Sequence, residues 1–140
     1  MNEKCFAIII GSVLGDGYLT PKLNSKGESQ LWLKYSDKSL PYLKWLNKKL
    51  KPIGVYSIKS KKGYNQHQFR TKPSSSLGSL RKIFYPKGKK IIPKNIEEIL
   101  TSPLSIAIWY MDDGNLDYRK KYHCNASLLP IILLGKSARN

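Results

Sequence analysis

The sequence predicts an α+β fold, and three observations carry that reading. Apolar residues recur at helical spacing in some segments and alternate along others. The segments follow the order helix, two strands, helix, two strands, helix, helix. Clusters of Gly, Pro, Asn and Ser punctuate them. With 140 residues, 41% of them hydrophobic, the chain can bury a real core and is not disordered by composition.

Residues 3–15 read as the first helix, with Phe6, Ile9, Ile10 and Val13 at helical spacing. Gly17 is expected to end it in the left-handed conformation. Tyr18 to Lys22 starts a strand, and "NSKGES" is a turn. "QLWLKYS", Gln30 to Ser36, alternates: Leu31, Leu33 and Tyr35 point to the core, and Gln30, Trp32 and Lys34 point away. Should the register slip by one residue, Trp32 turns into the core instead. Ser39 is expected to cap a second helix, striped by Leu40, Leu43, Leu46 and Leu50 and stopped by Pro52 and Gly54. "VYSIKS" and "NQHQFRTK" form the second strand pair around "KKGY", with Gln66, Gln68, Arg70 and Lys72 on one polar face. "SSLGSLRKIFY" is a third helix, "PKGKKIIP" a basic connector and "KNIEEIL" a helical turn. Pro103 opens the last helix.

Charge narrows the function. Twenty-five basic residues against nine acidic ones give a net charge of +16, which points to a polyanion, nucleic acid first. No long amphipathic basic helix supports a membrane surface, and no stretch reaches spanning length, so no membrane partner is expected. The N-terminal apolar run lacks a cleavage site and reads as a core helix rather than a signal peptide. Cys5 and Cys124 lie too far apart to suggest a disulfide framework, and with His67 and His123 they lack zinc-site spacing. The Lys-, Ile-, Asn- and Tyr-rich composition hints at an AT-rich organelle or phage genome. "GKS" at Gly135 to Ser137 is no phosphate loop, since Pro130 replaces the first glycine. Asn125 to Ser127 matches a glycosylation acceptor without a secretory signal.

Two helices end alike. "IIGSVLGDG", Ile9 to Gly17, and "IAIWYMDDG", Ile106 to Gly114, each carry an apolar run into Asp-Gly. A carboxylate at a helix C-terminus opposes the dipole, at a cost of about half a kcal/mol. One such Asp suits a turn; two matched ones on a strongly basic chain suggest chemistry. Gly11 and Gly15 share a helix face and permit close approach of another helix, where Ala107 lies at a comparable level. Helices packed side by side bring Asp16 and Asp113 together, and their repulsion calls for a cation such as Mg²⁺. That arrangement suits metal-assisted phosphodiester hydrolysis.

These two motifs resemble the signatures of the LAGLIDADG homing endonucleases. "QFRT", Gln68 to Thr71, and "FYPKGKKIIP", Phe84 to Pro93, are similar to segments of the branch whose second motif reads Trp-x-Met-Asp-Asp-Gly. The resemblance spans residues 5 to about 127. It implies αββαββα units, with motif helices packed at the centre and a curved antiparallel sheet along the DNA major groove. It implies double-strand cleavage leaving short 3′ overhangs, with divalent metal (Mg²⁺ or Mn²⁺) on Asp16 and Asp113, and Gly15 and Asp112 as secondary members of the metal set.

The expected nucleic-acid contacts are Gln30, Trp32, Lys34, Lys59, Gln66, Gln68, Arg70, Lys72 and Lys90. Lys34, Arg70, Lys72 and Lys90 suit phosphates or the attacking water; Arg70 also suits a guanine edge. Trp45 and Trp109 read as packing residues, and His67 as a strand residue rather than a base. The expected partner is double-stranded DNA, with host-intron RNA as the alternative and no small-molecule substrate. The expected location is a mitochondrial or other organellar matrix. A nuclease uses the two acids, whereas an RNA-binding maturase needs neither. In single-chain members the second motif opens a second half with its own sheet. Here "NLDYRKKYHCNAS" begins such a half, and from Leu128 the sequence departs. The expectation is an endonuclease domain over 1–127, an atypical tail over 128–140, and a truncated remnant as a further alternative.

Overall fold

The computed structural model describes residues 1–61 and 63–114, with backbone alone at 113 and 114. The expected second-half start, Cys124, His123, Asn125 to Ser127 and the tail from 128 lie outside the described residues. The order of elements agrees with the sequence reading. It runs α1 (Glu3–Leu14), β1 (Tyr18–Leu19), β2 (Leu31–Ser36), α2 (Leu40–Lys49), β3 (Lys59–Lys61), β4 (Gln66–Arg70), α3 (Ser75–Phe84), α4 (Ile96–Ile99) and α5 (Pro103–Trp109). One π-helical turn, Tyr110–Gly114, continues α5.

The four strands form one open antiparallel sheet in the order β1-β2-β4-β3. Alternation decides its two faces. Leu19, Leu31, Leu33 and Phe69 point inward and join Ile8, Ile9, Ile10 and Val13 of α1 and Leu43, Leu46 and Leu50 of α2 in the core. Among the described residues the helices cover that face only. The other face carries exposed Tyr18, Trp32, Lys34, Lys59, Lys61, Gln66, Gln68 and Arg70.

α1 is capped by Asn2, whose side chain accepts from the Cys5 N–H at 2.8 Å. It is buried nearly all round, because the sheet lies on one side and α5 on the other. Phe6, expected in its core stripe, is instead 38% exposed. Gly17 is not in the left-handed region. Its N–H bonds to the Ser12 carbonyl at 2.7 Å, and a Cβ would stand 2.6 Å from that oxygen. Close approach of backbone, rather than φ, requires the glycine. Ser39 makes no side-chain cap, since a 3₁₀ turn, Asp37–Ser39, already leads into α2.

The expected strand "VYSIKS" pairs only at its ends. Val55 bridges Thr71 and Lys59 opposes Gln68, so the first segment holds one residue more than the second between these pairs. The extra residue bulges the edge and shortens β3. Trp109 is buried as expected, whereas Trp45 is 37% exposed and stacks on Tyr42, ring centroids 6.2 Å apart. Among the described residues no helix is long and apolar enough to cross a membrane.

Candidate functional site

α1 and α5 pack through glycine. A Cβ on Gly11 would lie 2.5 Å from the Ser105 carbonyl oxygen and 2.8 Å from the Ile108 Cβ. The Ser105 hydroxyl donates to the Ala7 carbonyl at 2.6 Å, which locks the helices at this level. Ala107, expected at a comparable level, is exposed; Ser105 and Ile108 occupy the side that meets Gly11.

At the C-terminal ends, Gly15 faces Asp112. A Cβ at Gly15 would come within 2.4 Å of Asp112 Oδ2, so the glycine vacates the space that the aspartate fills. Asp112 is only 4% exposed. Its Oδ2 accepts from the Asp16 backbone N–H at 3.1 Å, and its Oδ1 accepts from the Tyr35 hydroxyl at 2.6 Å. Both oxygens of this expected secondary ligand are therefore engaged in hydrogen bonds that join α1, the π turn and β2. The Asp16 residue itself is exposed at the helix end. Asp113 follows Asp112 in the turn, and its side chain lies outside the described part. Among the described residues no group of three or more His, Cys, Asp or Glu is gathered for a metal.

Electrostatics follow from this crowding. Burial, then the Asp112 charge and hydrogen bond, Tyr42 and Asp16, push the Tyr35 phenol far above its ordinary pKa of 10.0. Burial, Asp112 and Asp16 likewise raise Tyr42. The Tyr42 hydroxyl is buried with no hydrogen-bond partner among the described atoms. Both tyrosines thus stay neutral beside the carboxylates. Lys90 brings positive charge to the same place: its Nζ donates to the Gly15 carbonyl at 2.9 Å and to the Gly17 carbonyl at 2.7 Å. An ammonium here complements the negative end of α1.

Asp16 opens onto the exposed sheet face through a concavity that Tyr18, Trp32, Leu33, Lys34 and Gln68 also line. Register builds rows across this face. Tyr18, Trp32 and Arg70 are successive partners, and Tyr56 bonds to the Arg70 carbonyl at 2.9 Å and takes its guanidinium over the ring at 5.4 Å. Lys34, Gln68 and Lys59 form the next row; Ser36, Gln66 and Lys61 form the last. Six of the nine expected contact residues, Trp32, Lys34, Lys59, Gln66, Gln68 and Arg70, thus share one surface.

The others do not. Gln30 is buried, and its Oε1 accepts from the Trp32 indole N–H at 3.3 Å, steadying that ring. Lys72 lies past the end of β4, with its stem across Gly54. Lys90 sits at the helix ends. His67 bridges Asp37 and Ser60, its Nδ1 2.7 Å from the Ser60 Oγ. Tyr35 reads as a core residue from alternation alone. Only the tertiary fold shows its hydroxyl on Asp112. Tyr18, Tyr56 and Lys61 join the surface through strand pairing, which no local signal reveals.

Comparison with known proteins bears on the family and the fold. The chain is 32% identical over 122 residues to the protein RecA of Mycolicibacterium fallax, covering 86% of this chain and 28% of that protein. It is 32% identical over 130 residues to the cytochrome b mRNA maturase bI2 of Saccharomyces cerevisiae, covering 81% of this chain and 30% of the maturase. The chain thus spans about a third or less of these two relatives. The homing endonuclease I-WcaI, solved bound to its DNA recognition sequence, shares the fold with a TM-score of 0.59 at 22% identity, over 80% of this chain and 51% of that one. The model of the LAGLIDADG DNA endonuclease family matches residues 6–129, and the chain belongs to that family.

Proposed function

We propose that this chain acts as a homing-type endonuclease, hydrolysing phosphodiester bonds of double-stranded DNA at a long specific site. The observation that carries this reading is the junction of the two motif helices. Their acid-bearing ends meet beside a basic sheet face, and Asp16 opens directly onto it. Asp16 and Asp113 carry hard oxygen donors of the kind that suits Mg²⁺ or Mn²⁺, whereas the Gly15 carbonyl, a further expected donor, already accepts from the Lys90 ammonium. Against the helix dipole such donors gain from a cation. A divalent ion bound there would polarise a phosphoryl oxygen and acidify water.

The chain's own residues do the rest. Lys90 holds the turn that carries Asp16 and adds positive charge beside it. Lys34, Lys59 and Arg70 take phosphates, and Gln66 and Gln68 take base edges. The kinship with cytochrome b mRNA maturases and the AT-rich residue usage support an organellar, intron-borne origin.

A second reading, binding of intron RNA, draws on the same relatives and on exposed Tyr18, Trp32 and Tyr56, whose rings suit unstacked bases. One experiment separates them. Duplexes selected from a random library are offered with Mg²⁺ or with EDTA, alongside structured intron RNA. The nuclease reading expects a selected duplex consensus and Mg²⁺-dependent cuts that Asp16→Asn abolishes. No consensus, with tighter binding of the RNA, would favour the maturase.

A further inference from the structure

Asp112 has no counterpart in the first motif, where the matching position is Gly15. A buried carboxylate is costly unless its oxygens are satisfied. Here one oxygen holds the Asp16 N–H and the other holds the Tyr35 hydroxyl. Tyr35 sits on β2 between Lys34 and Ser36, whose side chains face the opposite, exposed side. A short polar line therefore runs from the Tyr35 hydroxyl, on the inner side of β2, through Asp112 to the backbone of Asp16. Gly15 fits this line closely, since any side chain there would displace the Asp112 carboxylate.

We propose that Asp112, oriented by Tyr35, is a positioning residue that fixes the Asp16 carboxylate relative to the sheet, rather than a ligand in its own right. This rests on the reading of Asp16 as a metal donor. Outer partners that orient a metal ligand commonly set affinity by about 10- to 100-fold. Asp112→Ala should therefore weaken the site by that order, and Tyr35→Phe several-fold. Asp112→Asn should largely rescue it. The Asn Oδ1 still accepts from the Asp16 N–H, and its amide still meets the Tyr35 oxygen.

The test is a Mn²⁺ titration of the full chain followed by electron paramagnetic resonance, together with amide exchange at Asp16. The parent, Asp16→Asn, Asp112→Ala, Asp112→Asn and Tyr35→Phe are compared after circular dichroism has checked their folds. The expected pattern is loss of binding in Asp16→Asn, graded weakening in Tyr35→Phe and Asp112→Ala, faster Asp16 exchange in Asp112→Ala, and near-parent behaviour in Asp112→Asn. If Asp112→Asn abolishes Mn²⁺ binding while Tyr35→Phe leaves it intact, Asp112 is a ligand and the proposal falls. Parent-like affinity in both Tyr35→Phe and a folded Asp112→Ala also overturns it, while leaving the metal reading in place. Should Asp112→Ala fail to fold, Tyr35→Phe decides alone. No Mn²⁺ binding by the parent, or parent-like binding by Asp16→Asn, overturns the metal reading and this proposal with it.

Discussion

The backbone N–H of Asp16 donates to the buried carboxylate of Asp112 across the junction of two helices, at 3.1 Å. Residues 96 positions apart are thereby held in one small polar cluster at the meeting point of α1, the π turn and β2. Glycines make the approach possible, so the first expectations concern them.

Gly11→Ala should destabilise the fold, because its Cβ would meet the rigid Ser105 carbonyl at 2.5 Å. Overpacking of this kind costs about 1–3 kcal/mol. Gly15→Ala meets a carboxylate at 2.4 Å instead, which can move only by releasing the Asp16 N–H. It should cost a comparable amount and also speed amide exchange at Asp16. Urea midpoints and hydrogen exchange check both. A Gly11→Ala protein as stable as its parent would mean that α1 and α5 are further apart than described.

Much of this architecture is legible in the sequence. The periodicities of β2, α2 and β4 mark most of their faces, and Trp32 stands on the outer face, where alternation puts it; Phe6 of α1 is exposed and Gln30, just before β2, is buried, against their spacing. What escapes is nonlocal. Nothing near Tyr35 announces a partner 77 residues away. Nothing near Gln30 shows that its amide will steady the Trp32 ring from below the surface. Lys90, read as a phosphate contact, reaches back 75 residues to the Gly15 carbonyl. The Gly17 expectation failed for a different reason: two physical demands, positive φ and close approach, select the same residue. Sequence cannot separate them.

Nucleic-acid binding should be strongly salt-dependent. With ~5 phosphates neutralised, log K should fall with log salt at a slope of about −4 to −5. Lys34 and Lys59 lie in one row of the exposed face. Replacing either with Gln should reduce the magnitude of the slope by about 0.9. Filter binding at several salt concentrations measures this. A flat response in the parent would exclude a phosphate-dominated surface.

Alkaline pH should act through the tyrosines. Tyr35 keeps its proton in the fold far above its ordinary value of 10.0, because of burial and the nearby carboxylates. Below pH 10 folded and unfolded chains hold that proton equally, and the stabilising difference is fully present. As pH rises through 10, the unfolded chain releases the proton and the folded one does not, so stability falls. Tyr42 and Tyr85 are raised too and act with the same sign. Tyr35→Phe should lessen the fall between pH 9 and 11 by one proton's contribution, against a lysine background common to both proteins. Equal slopes would show that Tyr35 ionises normally and is not held on Asp112.

The last expectation concerns why Asp16 and Asp113 stand at helix ends that disfavour them. If metal rather than turn formation requires them, Asn in either place keeps the turn, since Asn tolerates the same backbone. Without metal, Asp16→Asn should be as stable as the parent or slightly more so. A charge opposed by the helix dipole and by buried Asp112 would then be gone. With Mg²⁺ the order reverses. Bound metal stabilises the parent by mass action, about 2.7 kcal/mol at a hundredfold excess over Kd, and leaves the Asn variants unmoved. Thermal melts with and without Mg²⁺ read this directly and require no cleavage by the chain. Lys90 sharpens the comparison: Lys90→Met removes the ammonium from the Gly15 and Gly17 carbonyls. It should lower metal-free stability, because those carbonyls lose their donor, while a metal-dependent rise persists. An Asp16→Asn protein that loses several kcal/mol in the absence of metal would mark the acid as structural and remove the main physical support for the nuclease.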